Sequence, residues 1–144
     1  MIKLNKLTDY AVILLGFLKQ DSLSNTGDLA RYSRLGEATV AKILKLLVKA
    51  GLVSSVRGAN GGYLLVKELE QISMADLIEA IEGPLAVASC AGDHSVLDSC
   101  EHKGCPVRGG WEEFNAEMLY LLKGFSVARI VRPVPDFGLN DLKG

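Results

Sequence analysis

The residues best equipped for chemistry are three thiols. Cys90, Cys100 and Cys105 fall in one sixteen-residue window, and the rest of the 144-residue chain contains no other cysteine. Nine residues separate the first two and four separate the last two. Thiolates hold soft and borderline metals, so the window offers three ligands to an iron-sulfur centre or to zinc, with His94 or His102 available as a fourth. The spacing is neither a ferredoxin pattern nor a paired-cysteine zinc pattern. A nucleophile, Cys90 or Cys100 beside His94 or His102, is the enzymatic alternative. No phosphate-binding glycine loop, nucleophile elbow or paired carboxylates accompany it, so an enzyme is not expected. Three small buried hydrophobes are the bland alternative. An odd number of cysteines without a secretion signal argues against a disulfide framework.

A second chemistry lies in the charge distribution. The net charge is −1, yet residues 1–57 carry nine Lys/Arg against four Asp/Glu, residues 58–120 three against eleven, and residues 121–144 four against two. A basic first half joined to an acidic middle suits a protein that neutralises phosphates with one face, although a solvated charged face gives a similar count. Composition is ordinary for a globular chain, 49% hydrophobic and 23% charged, and the length suits one domain with a short arm. The longest apolar run, residues 11–18, is far short of the ~20 needed to span a bilayer. Asp9 lies beside that run and no cleavage site follows it, so a cytoplasmic protein with no membrane partner is expected.

The elements that must position these groups follow from apolar spacing. Leu7, Tyr10, Ala11, Leu14, Phe17 and Leu18 recur at three- and four-residue steps, predicting a helix over about 6–19. Thr26 can cap a short helix over 27–33 with Asp28 in its first turn. After a turn at 33–36, Val40, Ile43, Leu44, Leu47 and Val48 form one stripe while Lys42, Lys45 and Lys49 fall on another face, and Gly51 supplies the stop. Two helices joined tightly, the second with a lysine row, suit a helix-turn-helix that enters the DNA major groove, or equally a plain helical hairpin. The β-branched residues 52–56, the turn formers at 57–62 and the apolar residues 63–66 then read as a β-hairpin, the wing of a winged helix, with Arg57 near its tip. Ser73 and Asp76 predict a capped helix over 74–82 with Leu77, Ile78 and Ile81 inward. Trp111, Phe114, Met118, Leu121, Leu122 and Phe125 predict a long helix, firm from Trp111 because Gly109 and Gly110 weaken its start. So aromatic a stripe suits a dimer interface, with a core role as the alternative. Ser126 can cap a short turn to Val131, and a loose tail follows.

The stretch Gly51-Leu52-Val53-Ser54-Ser55-Val56-Arg57-Gly58-Ala59-Asn60-Gly61-Gly62-Tyr63-Leu64-Leu65, the earlier Leu7-Thr8-Asp9-Tyr10-Ala11, and three cysteines before a long helix resemble the winged-helix iron-sulfur transcriptional regulators of the IscR and NsrR type. The likeness runs over nearly the whole chain and is greatest toward regulators of SUF-system assembly genes. It implies a mainly α fold with a small β-hairpin wing: a winged helix-turn-helix over 1–84, a cysteine loop over 85–106, a dimerisation helix and turn over 107–131, and a flexible tail over 132–144. It further implies a homodimeric repressor that binds a double-stranded DNA operator under control of a 2Fe-2S cluster. Ala38, Thr39, Lys42 and Arg57 take the DNA-reading positions. Ala38 offers only a methyl group, which shifts base reading onto the other three. Cys90, Cys100 and Cys105 take the cluster positions. Where IscR-like members place a histidine after the last cysteine, this chain has Arg108, which cannot ligate. Asp9, from the other subunit, is the expected fourth ligand by likeness to the nitric-oxide sensor, with His94 and His102 as alternatives. Three other roles remain open: a nitric-oxide or redox sensor with the same cluster, a zinc-stabilised constitutive DNA-binding protein and a small electron carrier.

Overall fold

A computed structural model describes residues 3–88, 91 and 104–131, and turns the apolar periodicities into helices around one hairpin. Cys90, Cys100, His94, His102 and the expected tail at 132–144 lie outside the described residues. Helix α1 spans Lys6–Phe17 and starts at Asn5, whose side chain accepts the Leu7 N–H at 3.1 Å. Helix α2 spans Thr26–Ser33. Its cap is Asn25 and not Thr26. The Asn25 side chain accepts the Asp28 N–H at 2.8 Å and its amide donates to the Asp28 carboxylate at 2.9 Å, using both ends of the amide where a threonine hydroxyl would offer one atom. Arg34 closes α2 in the left-handed conformation, at φ 59°. Helix α3, Glu37–Lys49, begins three residues after Arg34 and ends before Gly51, which takes φ 76°.

Strands β1, Val53–Val56, and β2, Gly62–Leu65, pair antiparallel with Val53 opposite Leu65 and Val56 opposite Gly62. A short 3-10 turn, Leu69–Gln71, has no counterpart in the apolar periodicity, because three residues cannot show a period; Glu68 and Gln71 cap each other there. Helix α4, Met74–Glu82, has the expected reciprocal cap, Ser73 and Asp76 exchanging hydrogen bonds of 3.0 Å. Helix α5 spans Arg108–Gly124 and so begins three residues ahead of the expected Trp111. The Arg108 guanidinium donates to Glu112 at 3.1 Å across the first turn, and the Trp111 N–H reaches the Val107 carbonyl at 3.1 Å. These two bonds hold a turn that two exposed glycines would otherwise loosen. A second 3-10 turn, Val127–Arg129, follows, but the Ser126 side chain makes no capping bond to it.

The core is built mainly from α1–α4 and the two strands, with Leu69 of the first 3-10 turn and Leu122 of α5 packed only at its edge. Ala11, Leu14 and Leu15 of α1, Leu29 of α2, Val40, Ile43, Leu44 and Leu47 of α3, and Leu77 of α4 are all fully or almost fully shielded from water. Burying each leucine contributes about 1.5–3 kcal/mol, which makes this cluster the principal stabilising term of the winged unit. α5 instead joins the core through the segment after it. Val127 is completely buried, its N–H donates to the Ile72 carbonyl at 2.8 Å, and the Met74 N–H donates to the Phe125 carbonyl at 2.7 Å. The far end of α5 is thereby stitched to the start of α4.

Candidate nucleic-acid interface

Helix α3 separates its two stripes as its sequence predicts. Val40, Ile43, Leu44 and Leu47 face inward, while Ala38, Lys42, Lys45 and Lys49 are exposed and Thr39 is half-buried. Gly36 caps the helix without a side-chain bond, so no side chain competes for the first amides of α3. The cations are uncommitted. Among the described residues of the basic first half, Arg31 alone is in an ion pair, with Asp28, and it also lies 5.5 Å from the Tyr32 ring centroid. Lys42, Lys45, Lys49, Arg34 and Arg57 have no carboxylate partner among the described residues. Long cationic side chains left without partners on one helix and one hairpin tip can neutralise phosphates. Arg34 is the residue that apolar spacing alone overlooks. Its place in the turn was legible, but its left-handed backbone, which aims the chain into α3, was not.

The wing is fixed by close backbone approach. A Cβ on Gly61 would stand 2.1 Å from the Val56 carbonyl oxygen, so a side chain cannot fit without opening the turn. The Gly61 N–H donates to the Gly58 carbonyl at 3.0 Å, and Gly58 itself takes φ 115°, a region that favours glycine. A Cβ on Gly62 would lie 2.8 Å from the Ser24 carbonyl oxygen. The reason is that Ser24 and Tyr63 exchange backbone hydrogen bonds of 2.9 and 2.8 Å, which adds a third rung to the hairpin from the loop between α1 and α2. Arg57, exposed, follows β1 directly and is carried at the edge of this braced ribbon.

Of the expected metal ligands, two can be placed. Cys105 is a free, half-buried thiol three residues before α5, and its carbonyl accepts the Arg108 N–H at 3.3 Å. Asp9 is exposed on the first turn of α1 and its carboxylate has no hydrogen-bond or ion-pair partner among the described residues. Its neighbour Thr8 is fully buried and donates from Oγ1 to Glu82 Oε1 at 2.5 Å, and the same oxygen accepts the Asn5 N–H at 2.9 Å. The end of α4 thus grips the start of α1 and leaves Asp9 turned outward. No group of three or more His, Cys, Asp or Glu residues suited to a metal occurs among the described residues, two of the three thiols lying outside them.

A long apolar groove of about 880 Å³ runs between α4 and α5. Met74 and Ile78 line one side and Trp111, Phe114, Met118 and Leu121 the other. Trp111 is 42%, Phe114 49% and Leu121 69% exposed, so the expected stripe exists but is largely uncovered within one chain. Asn115 interrupts it. Although polar it is buried, and its Oδ1 accepts the Val87 N–H at 3.1 Å. Its position, four residues from Trp111 and three from Met118, put it on the stripe, which was a signal in the spacing. No helix is long and apolar enough to cross a membrane among the described residues.

Comparison with known proteins agrees with this architecture. The family model Rrf2, described as an iron-dependent transcriptional regulator, matches residues 4–133. The chain is 37% identical to the protein aau3 of Rhizobium meliloti over 149 aligned positions, covering 99% of this chain and 92% of that one. It is 28% identical to the HTH-type transcriptional regulator NsrR of Shouchella clausii, covering 90% and 89% of the two chains. Among solved structures, IscR of T. potens superposes with a TM-score of 0.62 at 25% identity, covering 90% of this chain and 86% of that one. CymR of B. subtilis, a global cysteine regulator, superposes at 0.67 with 23% identity over 91% and 97% of the two chains, a likeness of fold.

Proposed function

Because this chain belongs to the Rrf2 family of transcriptional regulators, we propose that it is a repressor whose affinity for a double-stranded DNA operator is set by a 2Fe-2S cluster and which governs iron-sulfur assembly genes. As a DNA-binding regulator it is not an enzyme. The observation that carries the reading is the placement of exposed cations without carboxylate partners on α3 and beside the wing of a winged helix-turn-helix, where they can meet phosphates. In this reading Thr39, Lys42 and Arg57 contact bases or the narrow minor groove, Ala38 packs against a thymine methyl, and Lys45 and Lys49 meet phosphates. Residues 1–84 form the DNA-binding unit, 85–106 the cluster segment, 107–131 the dimerisation element and 132–144 the tail.

The uncovered stripe on α5 supports a homodimer, which would present two copies of α3 about 34–36 Å apart to successive major grooves. Cys90, Cys100 and Cys105 would hold the cluster with Asp9 from the other subunit. The two donors among the described residues suit such a group: Cys105 is a half-buried free thiol, and Asp9 is an outward carboxylate with no competing partner among the described residues. The bound cluster would supply a centre reactive toward oxidants and nitric oxide. A hard carboxylate among soft thiolates favours exchange at one iron, and on that ground nitric-oxide or redox sensing at other promoters is the second reading.

The test is affinity for the promoter fragment upstream of the protein's own gene, measured for the anaerobically isolated and the cluster-free protein at one salt concentration. A difference of about 5- to 150-fold is expected for a coupling of ordinary size. Equal affinities would refute cluster control, and a colourless, zinc-containing preparation would mark a constitutive DNA-binding protein.

A further inference from the structure

The turn between α2 and α3 carries arginine and glycine contrary to what its backbone favours. Arg34, which closes α2, is the one non-glycine residue at positive φ among the described residues, at φ 59° and ψ 26°. A Cβ in that conformation crowds the following carbonyl oxygen, and glycine has none. A glycine stands two positions on, but Gly36 takes φ −64° and ψ 142°, which any residue adopts, and a Cβ there would meet nothing within 4 Å. The turn thus holds its glycine where none is required and a guanidinium where a side chain is strained. Among the described residues that guanidinium has no ion-pair partner, and the nearest acid in sequence, Glu37 in the first turn of α3, is not paired with it. Arg34 is also exposed.

The strained backbone is held from both sides. Ser33 Oγ donates to the Leu29 carbonyl at 2.6 Å and accepts the Leu35 N–H at 3.4 Å, bridging across Arg34, while half-buried Leu35 packs against the core. Strain persists only where the surroundings over-determine it, and it gathers at sites that act on a ligand. Ala38, Thr39 and Lys42 follow in the first two turns of α3. The N-terminal residues of a recognition helix meet base edges, so a residue just ahead of that helix stands at the rim of the groove, where the phosphates lie.

We propose that Arg34 is a phosphate anchor: from a turn locked in the left-handed conformation it grips the DNA backbone at the rim of the groove that α3 enters, and so sets the depth at which Ala38, Thr39 and Lys42 reach the bases. This rests on the reading of α3 as the DNA-reading helix. A planar guanidinium can hold two oxygens of one phosphate, and the missing side chain at Gly36 leaves room for the duplex to close on the turn.

The experiment compares full-length wild type, Arg34→Gly, Arg34→Asn, Arg34→Lys and Lys19→Ala. Each is titrated with salt on the promoter fragment upstream of the protein's own gene and on a scrambled duplex of equal length, and its urea midpoint is measured. Glycine and asparagine both accept the left-handed conformation, so these variants remove the charge and keep the turn. On both duplexes they should lose about eightfold in affinity at 0.1 M salt for each bound protomer, with the slope of log affinity against log salt shallower by about 0.9 per protomer. The urea midpoint of Arg34→Gly should equal or exceed that of wild type. Arg34→Lys, which keeps a point charge, should retain the slope and stay within about threefold of wild-type affinity. Lys19→Ala removes an equal charge beside Leu65, at the base of the hairpin, and should leave the slope unchanged. Wild-type slopes in Arg34→Gly and Arg34→Asn, whatever their urea midpoints, overturn the anchor. So does a loss confined to the promoter fragment, a lysine variant that fails to restore the slope, or an equal change in Lys19→Ala. A wild type that binds neither duplex overturns the DNA-reading role of α3 itself, and the anchor with it.

Discussion

The sharpest perturbation of the DNA interface is Gly61→Ala, because it moves the wing without touching any charged group. The new methyl would sit 2.1 Å from the Val56 carbonyl oxygen and 3.0 Å from the Gly58 carbonyl oxygen, and the first of these falls more than an ångström inside van der Waals contact. Both partners are backbone, so neither can swing aside as a side-chain end would. The turn must open, breaking the Gly61-to-Gly58 hydrogen bond and shifting Arg57 at the end of β1. Overpacking of this kind costs about 1–3 kcal/mol. The rungs between Ser24 and Tyr63, and the core beneath α3, lie outside the clash, so the helical unit should persist. If the cost appears as lost wing contact, operator affinity falls by about 5- to 150-fold at constant salt. Fluorescence anisotropy with a labelled operator measures it, with far-ultraviolet circular dichroism to verify helix content. Arg57→Ala should give a similar loss, and the double variant should lose little more than either alone, since both act through one contact. Wild-type affinity in Gly61→Ala, or full additivity with Arg57→Ala, would refute the assignment of Arg57 to DNA.

Three further outcomes follow from the same geometry. Lys45→Ala should weaken binding to all sequences alike and make the slope of log affinity against log salt shallower by about 0.9, the share of one phosphate contact, as seen in a salt titration. Leu121→Glu, at a position 69% exposed in one chain, should convert the proposed dimer to a monomer in sedimentation equilibrium while keeping its helix content; a persistent dimer would place the interface elsewhere. Glu82→Ala removes the acceptor of the Asn5 N–H and of the buried Thr8 hydroxyl, costing about 1–3 kcal/mol, which should appear as a lower urea midpoint at unchanged slope.

Much of this architecture was legible because it is written in period and cap. The stripes of α3 and α4 are strongly amphipathic, and Ser73 with Asp76 is a reciprocal pair that three-residue spacing reveals. What the spacing missed were decisions between near neighbours. Asn25 and Thr26 both can cap, and the choice fell to the residue whose side chain uses two atoms. Gly109 and Gly110 argue against helix by propensity, yet the helix runs through them, with the exposed Arg108–Glu112 pair offsetting part of their cost. The conformation of Arg34 and the pairing of Ser24 with Tyr63 depend on contacts made across the fold, which no local window contains. For the site, residue types announced the candidates, and spacing placed Asn115 on the α5 stripe, but its burial and its partner at Val87 were visible only in the fold.

The rungs between Ser24 and Tyr63 carry a constraint on how this chain can vary. Because the connection from α1 to α2 is bridged to the wing at Ser24 and Tyr63, its length is tied to the hairpin's register. An insertion there would not loop out harmlessly as in most surface connections; it would strip two backbone partners from Tyr63 and tilt the ribbon against α3. Helix α3 and the ribbon are thereby held together as one stiff jaw, in which exchanging exposed side chains disturbs the backbone less than altering a connecting loop.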